Sequence, residues 1–465
     1  MTEKTALIQP DRGQDAIPIH LVNKDGFDDW AKSLSGPQRA ALKAQGFSGK
    51  GYQTAIVPDS DAAGAGWFAV GGVANPEELS SWCMAKLAEK LPAGTYRRAG
   101  GEPGPALFGW QTAQYRFTRY RDDKDAQGPR ILLTGDVAQI DEAIAEAEAA
   151  CLVRDMVNTP AEDMGPEAIE AEVTRIAKAF DAEVTVTRGD ALESGYPMVH
   201  AVGRAAARVH APRLIELEWG AKDAPRIAIV GKGVTFDSGG LDVKSSAGML
   251  LMKKDMGGSA HALALAKLVM ERGLKVRLHL VIPAVENAIS GNAFRPGDVL
   301  ASRKGLTVEI TNTDAEGRLI LGDALTRASE EAPELILDFA TLTGAARVAL
   351  GPDLPALFTR RDETSDDLVA AGKGHDDAVW RLPLEETYRD MLKSDIADIA
   401  NSASGGFAGA TTAALFLDRF VEDDIEWAHF DTFAWRPAAK PGRPKGGAAL
   451  GLRAAWHMLK ARYGR

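Results

Sequence analysis

The chain has 465 residues, 45% of them apolar and 26% charged, and this length exceeds one ordinary core, so two domains are expected. A formal net charge of −11, from 54 basic and 65 acidic residues, disfavours nucleic acid or an anionic membrane as the main partner. No apolar run approaches the ~18 residues of a membrane span, and the start, MTEKTALIQPDRGQDAIP, has no basic segment leading into an apolar one, so no leader is expected.

In chain order, Ile17–Val22, Thr54–Val57 and Trp67–Val73 read as strands. Leu79, Trp82, Cys83, Leu87 and Leu91 share one helical face, and Arg130–Thr134 is a further short strand closed by Gly135. A long helix follows, roughly Val137–Val157, with Ile140, Ile144, Ala147 and Cys151 aligned at helical spacing. It ends near Asn158-Thr159-Pro160, where proline forbids continuation. The expected division is therefore an N-terminal α/β domain over 1–136, a connecting helix over 137–157 and a C-terminal domain over 158–465. Cys83 and Cys151 are the only cysteines. Each falls on an apolar stripe, which predicts two buried free thiols in a reducing, cytoplasmic compartment.

Beyond the connector, Pro166 starts a helix carrying Ile169, Val173, Ile176 and Phe180. Apolar strands then alternate with helices: Leu214–Leu217, Ile227–Val230, a helix over about Ser259–Arg272, Val276–Ile282, Leu335–Phe339 and Ile425–Phe430. Near-continuous apolar strands belong to a sheet covered on both faces. The fold class is α/β, with a mainly parallel central sheet flanked by helices and functional residues at the strand C-termini. Arg436–Gly447 (RPAAKPGRPKGG) reads as a basic Pro/Gly loop.

Two windows carry the chemistry. The first, GKGVTFDSGGLDVKSSAGMLLMKKDMGG, runs from Gly231 to Gly258 and opens at the exit of the Ile227–Val230 strand. Gly231, Gly233, Gly239 and Gly240 bracket Lys232 and Asp237, and glycine permits positive φ and close backbone approach. Lys244 follows, and Asp255 stands just before Gly257-Gly258 and a helix. The second, NTDAEGRL, follows the short strand Leu306–Ile310 and sets Asp314, Glu316 and Arg318 two residues apart. Any one of these charges in a turn would ordinarily be a solvated surface group. Together they form four carboxylates, two lysines and an arginine at the exits of apolar strands. Four carboxylates share a pocket only when divalent cations neutralise them, and bridging carboxylates suit two ions about 3.5–4 Å apart. Oxygen-rich ligation suits Zn²⁺, Mn²⁺, Co²⁺ or Mg²⁺. None of the histidines lies in HExxH spacing, and His261 and His429 read as structural.

At these residues the chain resembles the cytosolic leucyl aminopeptidase family, the M17 peptidases. NTDAEGRL is the family signature, and GKG…FDSGG…K…DMGG matches at its charged positions. The resemblance covers roughly 150–465 and includes VNTPAEDM (157–164), ATLTG (340–344) and SDIADI (394–399). It implies a metalloexopeptidase that hydrolyses the N-terminal amino acid from peptides through a hydroxide bridging two divalent metals, Mn²⁺ or Zn²⁺. By resemblance Lys232, Asp237, Asp255 and Glu316 hold one metal. Asp237, Glu316 and Asp314, through its side chain and carbonyl, hold the other. Lys244 stabilises the oxyanion, and Arg318 holds a bicarbonate that shuttles the proton; the plainer alternative for Arg318 is a salt bridge orienting Glu316. Met252, Asn312, Thr341, Leu342 and Gly344 correspond to a first-residue pocket that accepts Leu or Met. The loop after Trp435 departs from the family's usual ending. The family also implies a homohexamer with enclosed active sites, built by the N-terminal domain. The rival functions are a related two-metal dipeptidase or amidase acting on substrates such as Cys-Gly, and a DNA-binding or scaffolding role on the same fold.

Overall fold

The computed structural model describes residues 6–59, 66–122 and 128–464; the first five residues of the start discussed above lie outside them. Two compact units emerge, Met1–Cys151 with Ala438–Lys445, and Leu152–Pro437 with Gly446–Arg465.

In the N-terminal unit six strands form one sheet in the order Ile8–Pro10, Arg130–Thr134, Gly94–Arg98, Ile17–Val22, Trp67–Gly72, Thr54–Pro58. Every pair is parallel except the last. The stretch expected as one helix over Leu79–Leu91 is helical only over Ala85–Lys90. Its first half is a turn in which the Cys83 amide donates to the Ser80 carbonyl (3.2 Å). The turn packs closely on the neighbouring helix, where a Cβ on Gly109 would lie 2.0 Å from the Ser81 carbonyl oxygen. Leu79, Leu87 and Leu91 are buried all the same, packed with Met84, Tyr96 and Trp110. Burial periodicity survives the change of backbone. Cys83 and Cys151 form no disulfide, but both are half-buried rather than buried. The long helix begins with a 3-10 turn at Val137–Gln139 and continues as Ile140–Asn158, and the division between units falls within it.

The second unit is built on a sheet whose centre is parallel: Glu426–Asp431, Leu335–Ala340, Arg226–Gly231 and Arg277–Asn287 lie side by side in that order. Both edges turn antiparallel, through Ala356–Thr359 on one side and Arg213–Trp219 with Glu183–Thr187 on the other. All six residues of Arg226–Gly231 are buried, as expected for a strand covered on both faces. Leu319, Ile320 and Ala324 of the helix Glu316–Ser329 share a core with Ala228, Val230, Val281 and Trp427. The strand expected at Leu306–Ile310 forms as Thr307–Glu309, outside the main sheet, in a small sheet with Val299–Ala301 and Ile399–Ala400. The basic segment after Trp435 is more ordered than a loop, because Trp435–Arg436 pairs antiparallel with Gly446–Gly447.

Candidate active site

Three parallel strands end at one place. Arg226–Gly231 leads into Lys232, Leu335–Ala340 into Thr341, and Glu426–Asp431 terminates on Asp431. The Lys232 amide donates to the Phe339 carbonyl (3.0 Å), and its own carbonyl accepts from the Ser259 amide (2.8 Å). The lysine is thus fixed between a neighbouring strand and the start of a helix. The glycines beside it divide by cause. Gly239 and Gly240 take positive φ, 88° and 64°, and reverse the chain after Asp237. Gly231 and Gly233 answer to chain packing rather than ligand approach; a Cβ on Gly231 would lie 2.7 Å from Ser259 Cα.

The structure brings the predicted carboxylates together. Oxygens of Asp237, Asp255 and Glu316, all buried, lie within 4.8 Å of one another. Lys232 Nζ is 2.7 Å from Asp255 Oδ2 and 2.9 Å from Glu316 Oε1. Both are close ion pairs, and Lys232 also acts as a hydrogen-bond donor to Asp255. Lys244 Nζ lies 2.8 Å from Asp237 Oδ2 and also binds Asp314. The other Asp237 oxygen accepts from the Gly239 amide and from Asn287 Nδ2, each at 2.9 Å. Thr341 Oγ1 donates to Asp255 Oδ1 (2.8 Å). Each carboxylate is therefore met by a neutral donor or a lysine.

Charge in this space is strongly perturbed. Burial, with repulsion from Asp237, pushes the Glu316 carboxyl up to about 8 and that of Asp314 up to about 6. For Asp255 burial is the largest single influence and acts upward, but the Lys232 and Lys254 ammonium groups, with hydrogen bonds from Lys232 and Thr341, together outweigh it and hold the acid below its usual range. The surrounding carboxylates likewise overcome burial at Lys232 and Lys244 and raise both ammonium groups above the ordinary lysine value.

Met252, Thr341, Leu342 and Gly344 line a cavity of about 360 Å³ beside this cluster. Asn312 does not line it. Its side chain accepts from the Asp314 amide (2.8 Å) and so shapes the turn that presents that acid. Arg318 is buried, 8% exposed, and donates to the Asn401 carbonyl (2.8 Å), while its Nε has no partner. It makes no ion pair among the described residues, so the expected alternative of a salt bridge to Glu316 does not form. Burial draws its guanidinium down to about 10. His261 and His429 are structural: His261 bonds the Gly257 carbonyl and the Leu450 amide, and His429 pairs with Asp338.

Several residues at the site went unread in the sequence. Asn401 accepts from the amides of Thr311 and Asn312 and donates to the Asn312 carbonyl, holding the whole NTDAEGRL turn. Asp431 accepts from the amides of Leu342 and Thr343 and from Thr343 Oγ1. It sits at the exit of an apolar strand, the same signal that marked Lys232. Lys254, Arg347 and Phe433 also line the cavity.

The pattern described as "Cytosol aminopeptidase family, catalytic domain" matches residues 151–455, and that described as "M17 aminopeptidase, N-terminal domain" matches 17–132. The match thus extends to the N-terminal unit, which the motifs did not reach. A probable cytosol aminopeptidase of Roseiflexus castenholzii is 40% identical over 363 residues, 74% of each chain. The crystal structure of a cytosol aminopeptidase from Coxiella burnetii superposes with a TM-score of 0.92 at 44% identity, covering 98% of this chain and 99% of that one. The bottromycin maturation enzyme BotP in complex with Mn gives a TM-score of 0.86 at 32% identity, covering 96% and 99%.

Proposed function

This chain belongs to the cytosol aminopeptidase family and is a metal-dependent aminopeptidase, and we propose that it removes the first residue of peptides with the help of two divalent metals held among Lys232, Asp237, Asp255, Asp314 and Glu316. The observation that carries this reading is the buried cluster of Asp237, Asp255 and Glu316, whose oxygens come within 4.8 Å of one another beside Lys232 Nζ. Hard, oxygen-rich donors with one amine fit Mn²⁺ or Zn²⁺. The manganese complex of BotP lends weight to the former. When bound, such ions supply Lewis acidity, lowering the pKa of water and polarising the scissile carbonyl.

The remaining work falls to the chain. Lys244 is the less buried lysine, its side chain 16% exposed against 3% for Lys232. We assign it to the negative charge that grows on the carbonyl oxygen as the carbon turns tetrahedral. Arg318 stays cationic at any working pH and cannot itself be the base. Its unpartnered Nε and fork-shaped guanidinium suit a small planar anion, and bicarbonate there would carry the proton that leaves water. The apolar lining by Met252, Leu342 and Leu354 supports acceptance of Leu and Met, the preference that the resemblance implies. No helix among the described residues is long and apolar enough to cross a membrane, and a cytoplasmic homohexamer completes the reading; light scattering on the purified chain decides the assembly, and a monomer would remove it.

Leucine amide is the direct probe. Chelated protein should lose its turnover, and added Mn²⁺ or Zn²⁺ should restore it. Full activity in the chelated, metal-free protein would sink the proposal.

A further inference from the structure

The residues of the site hang on two separate supports. Lys232 is fixed between the Phe339 carbonyl and the Ser259 amide, and Asp255 is bound by Thr341. Asp237, Asp314 and Lys244 lean instead on the contact between the loop 238–244 and the turn 312–314. At that contact Thr313 is fully buried, and each of its polar atoms is engaged. Its amide donates to Asp242 Oδ2 (2.7 Å). Its hydroxyl accepts from the Asp242 amide (2.9 Å) and donates to the Gly239 carbonyl (2.7 Å). Its carbonyl accepts from Asn287 Nδ2 (3.1 Å), and the same nitrogen donates to Asp237 Oδ1 (2.9 Å). A Cβ on Gly240 would lie 3.0 Å from Thr313 Oγ1, so loop and turn touch here.

Asp242 is the unusual member. Four successive amides, those of Thr311, Asn312, Thr313 and Asp314, each donate to a side-chain oxygen. Asn401 serves the first two and Asn312 the last, so the Thr313 amide alone goes to a charged acceptor. A charged oxygen makes the stronger bond, and a buried amide left without an acceptor is costly. Asp242 itself is exposed and adds no side chain to the core. Its effect is local: it closes the loop 238–244 onto the residue that precedes Asp314. Lys244 stands two residues further on, with its amide bound to the Ser238 carbonyl (3.0 Å). Its Nζ spans Asp237 Oδ2 (2.8 Å) and Asp314. Opening the contact at Asp242 shifts Asp314 and Lys244 and leaves the supports of Lys232 and Asp255 untouched.

We propose that Asp242, acting through Thr313, is a positioning residue that holds Asp314 and Lys244 in register with Asp237, and so sets the affinity of one of the two metal positions independently of the other. This rests on the two-metal aminopeptidase reading above and deepens it. The position concerned is the one to which Asp314 contributes, whereas the one served by Lys232 and Asp255 has its own support. Asp242 acts only through the turn, since its carboxylate faces Thr313.

The test is Mn²⁺ bound per full-length chain, measured by equilibrium dialysis and atomic emission, with kcat and KM for leucine 4-nitroanilide alongside. The wild type should hold two equivalents. Asp242→Ala should weaken one of them roughly 10–100-fold, as removal of a group that orients a ligand does, and leave the other in place. At saturating Mn²⁺ its kcat should fall while KM changes little, because Lys244 moves with the loop. Asp242→Asn keeps an oxygen at the same point and should stay within about threefold of the wild type. Thr313→Val keeps the volume without the hydroxyl and should repeat the loss at one position; it decides the matter if Asp242→Ala loses its circular dichroism signal. Combination with Lys232→Arg identifies the position. The double variant should hold no tight equivalent, whereas an Asp242→Ala effect that adds nothing to Lys232→Arg would overturn the proposal. So would two tight equivalents in either folded variant, equal weakening of both positions, or an Asn variant no better than Ala. A wild type that binds no Mn²⁺ and leaves leucine 4-nitroanilide intact would instead remove the two-metal aminopeptidase reading, and the positioning role with it.

Discussion

At Lys232 two requirements oppose each other. The carboxylates around it raise its ammonium form above the ordinary lysine value, whereas a metal accepts only the neutral amine. Glu316, pushed up to about 8, and Asp314, pushed up to about 6, add two acids that are protonated over part of the working range. Metal binding must therefore expel protons. The sign is set by the direction of the shifts: acids with raised pKa hold their protons as pH falls, so metal affinity weakens as pH drops from about 8 through about 6. Titration calorimetry of chelated protein with Mn²⁺, repeated in buffers of different ionisation enthalpy, should report net proton release, and the release should shrink above pH 8 toward the single proton that Lys232 still gives up. Lys232→Arg keeps the charge but cannot ligate, and should lose tight binding at one site while retaining the fold by circular dichroism. Retention of two tight metals in that variant would count against the assignment.

At the scale of elements, the site depends on how closely a helix lies against the lysine. Gly317, in the first turn of Glu316–Ser329, has no space for a side chain: a Cβ would sit 2.4 Å from Lys232 Cε and 2.6 Å from its Nζ. The obstructing atoms are the end of a flexible side chain, so Gly317→Ala should fold, at the cost of moving the amine. The expected outcome is loss of one of two metal equivalents by atomic emission with an unaltered circular dichroism spectrum; two retained equivalents would show that the lysine has another way to reach its metal. This packing also explains what the sequence makes legible. Ile227–Val230 and Pro166–Ala179 announce themselves, because an all-apolar strand and a periodic helix each carry a local signature, and charges at strand exits stand out against them. The antiparallel edges are less legible, since Glu183–Thr187 is short and has no fully buried residue. Asn401 is illegible for a different reason. Its task is to hold Asn312, 89 residues earlier, and nothing in the local pattern around Ile399–Ala400 reports that contact. Lys254 reads as one more charge in a run of two lysines until its burial is known.

For the molecule as a whole, resistance to acid is set partly by groups that take no part in the chemistry. His261 is fully buried in the helix Gly257–Glu271, between the Gly257 carbonyl, which accepts from Nδ1 (2.6 Å), and the Leu450 amide, which donates to Nε2 (2.9 Å). One nitrogen must carry a proton and the other a lone pair, so this tautomer is neutral. Burial draws its pKa down to about 4 from the ordinary 6.5. The unfolded chain binds a proton here well before the folded one does. The stabilising contribution is therefore complete above about pH 6.5, declines as pH falls, and is gone below about 4. Its size follows from the shift and is about 3 kcal/mol. Protonation also removes the acceptor for the Leu450 amide, which ties the loop before the last helix, Leu452–Tyr463, to the centre of the unit. Thermal unfolding of the metal-free protein between pH 7 and 4 should show a fall in Tm that is clearly shallower in His261→Gln, whose side chain can present an oxygen to the amide without titrating. Other acids titrate over the same range, but they are common to both proteins and cancel in the difference. Parallel curves for the two proteins would mean that His261 carries no part of the acid sensitivity.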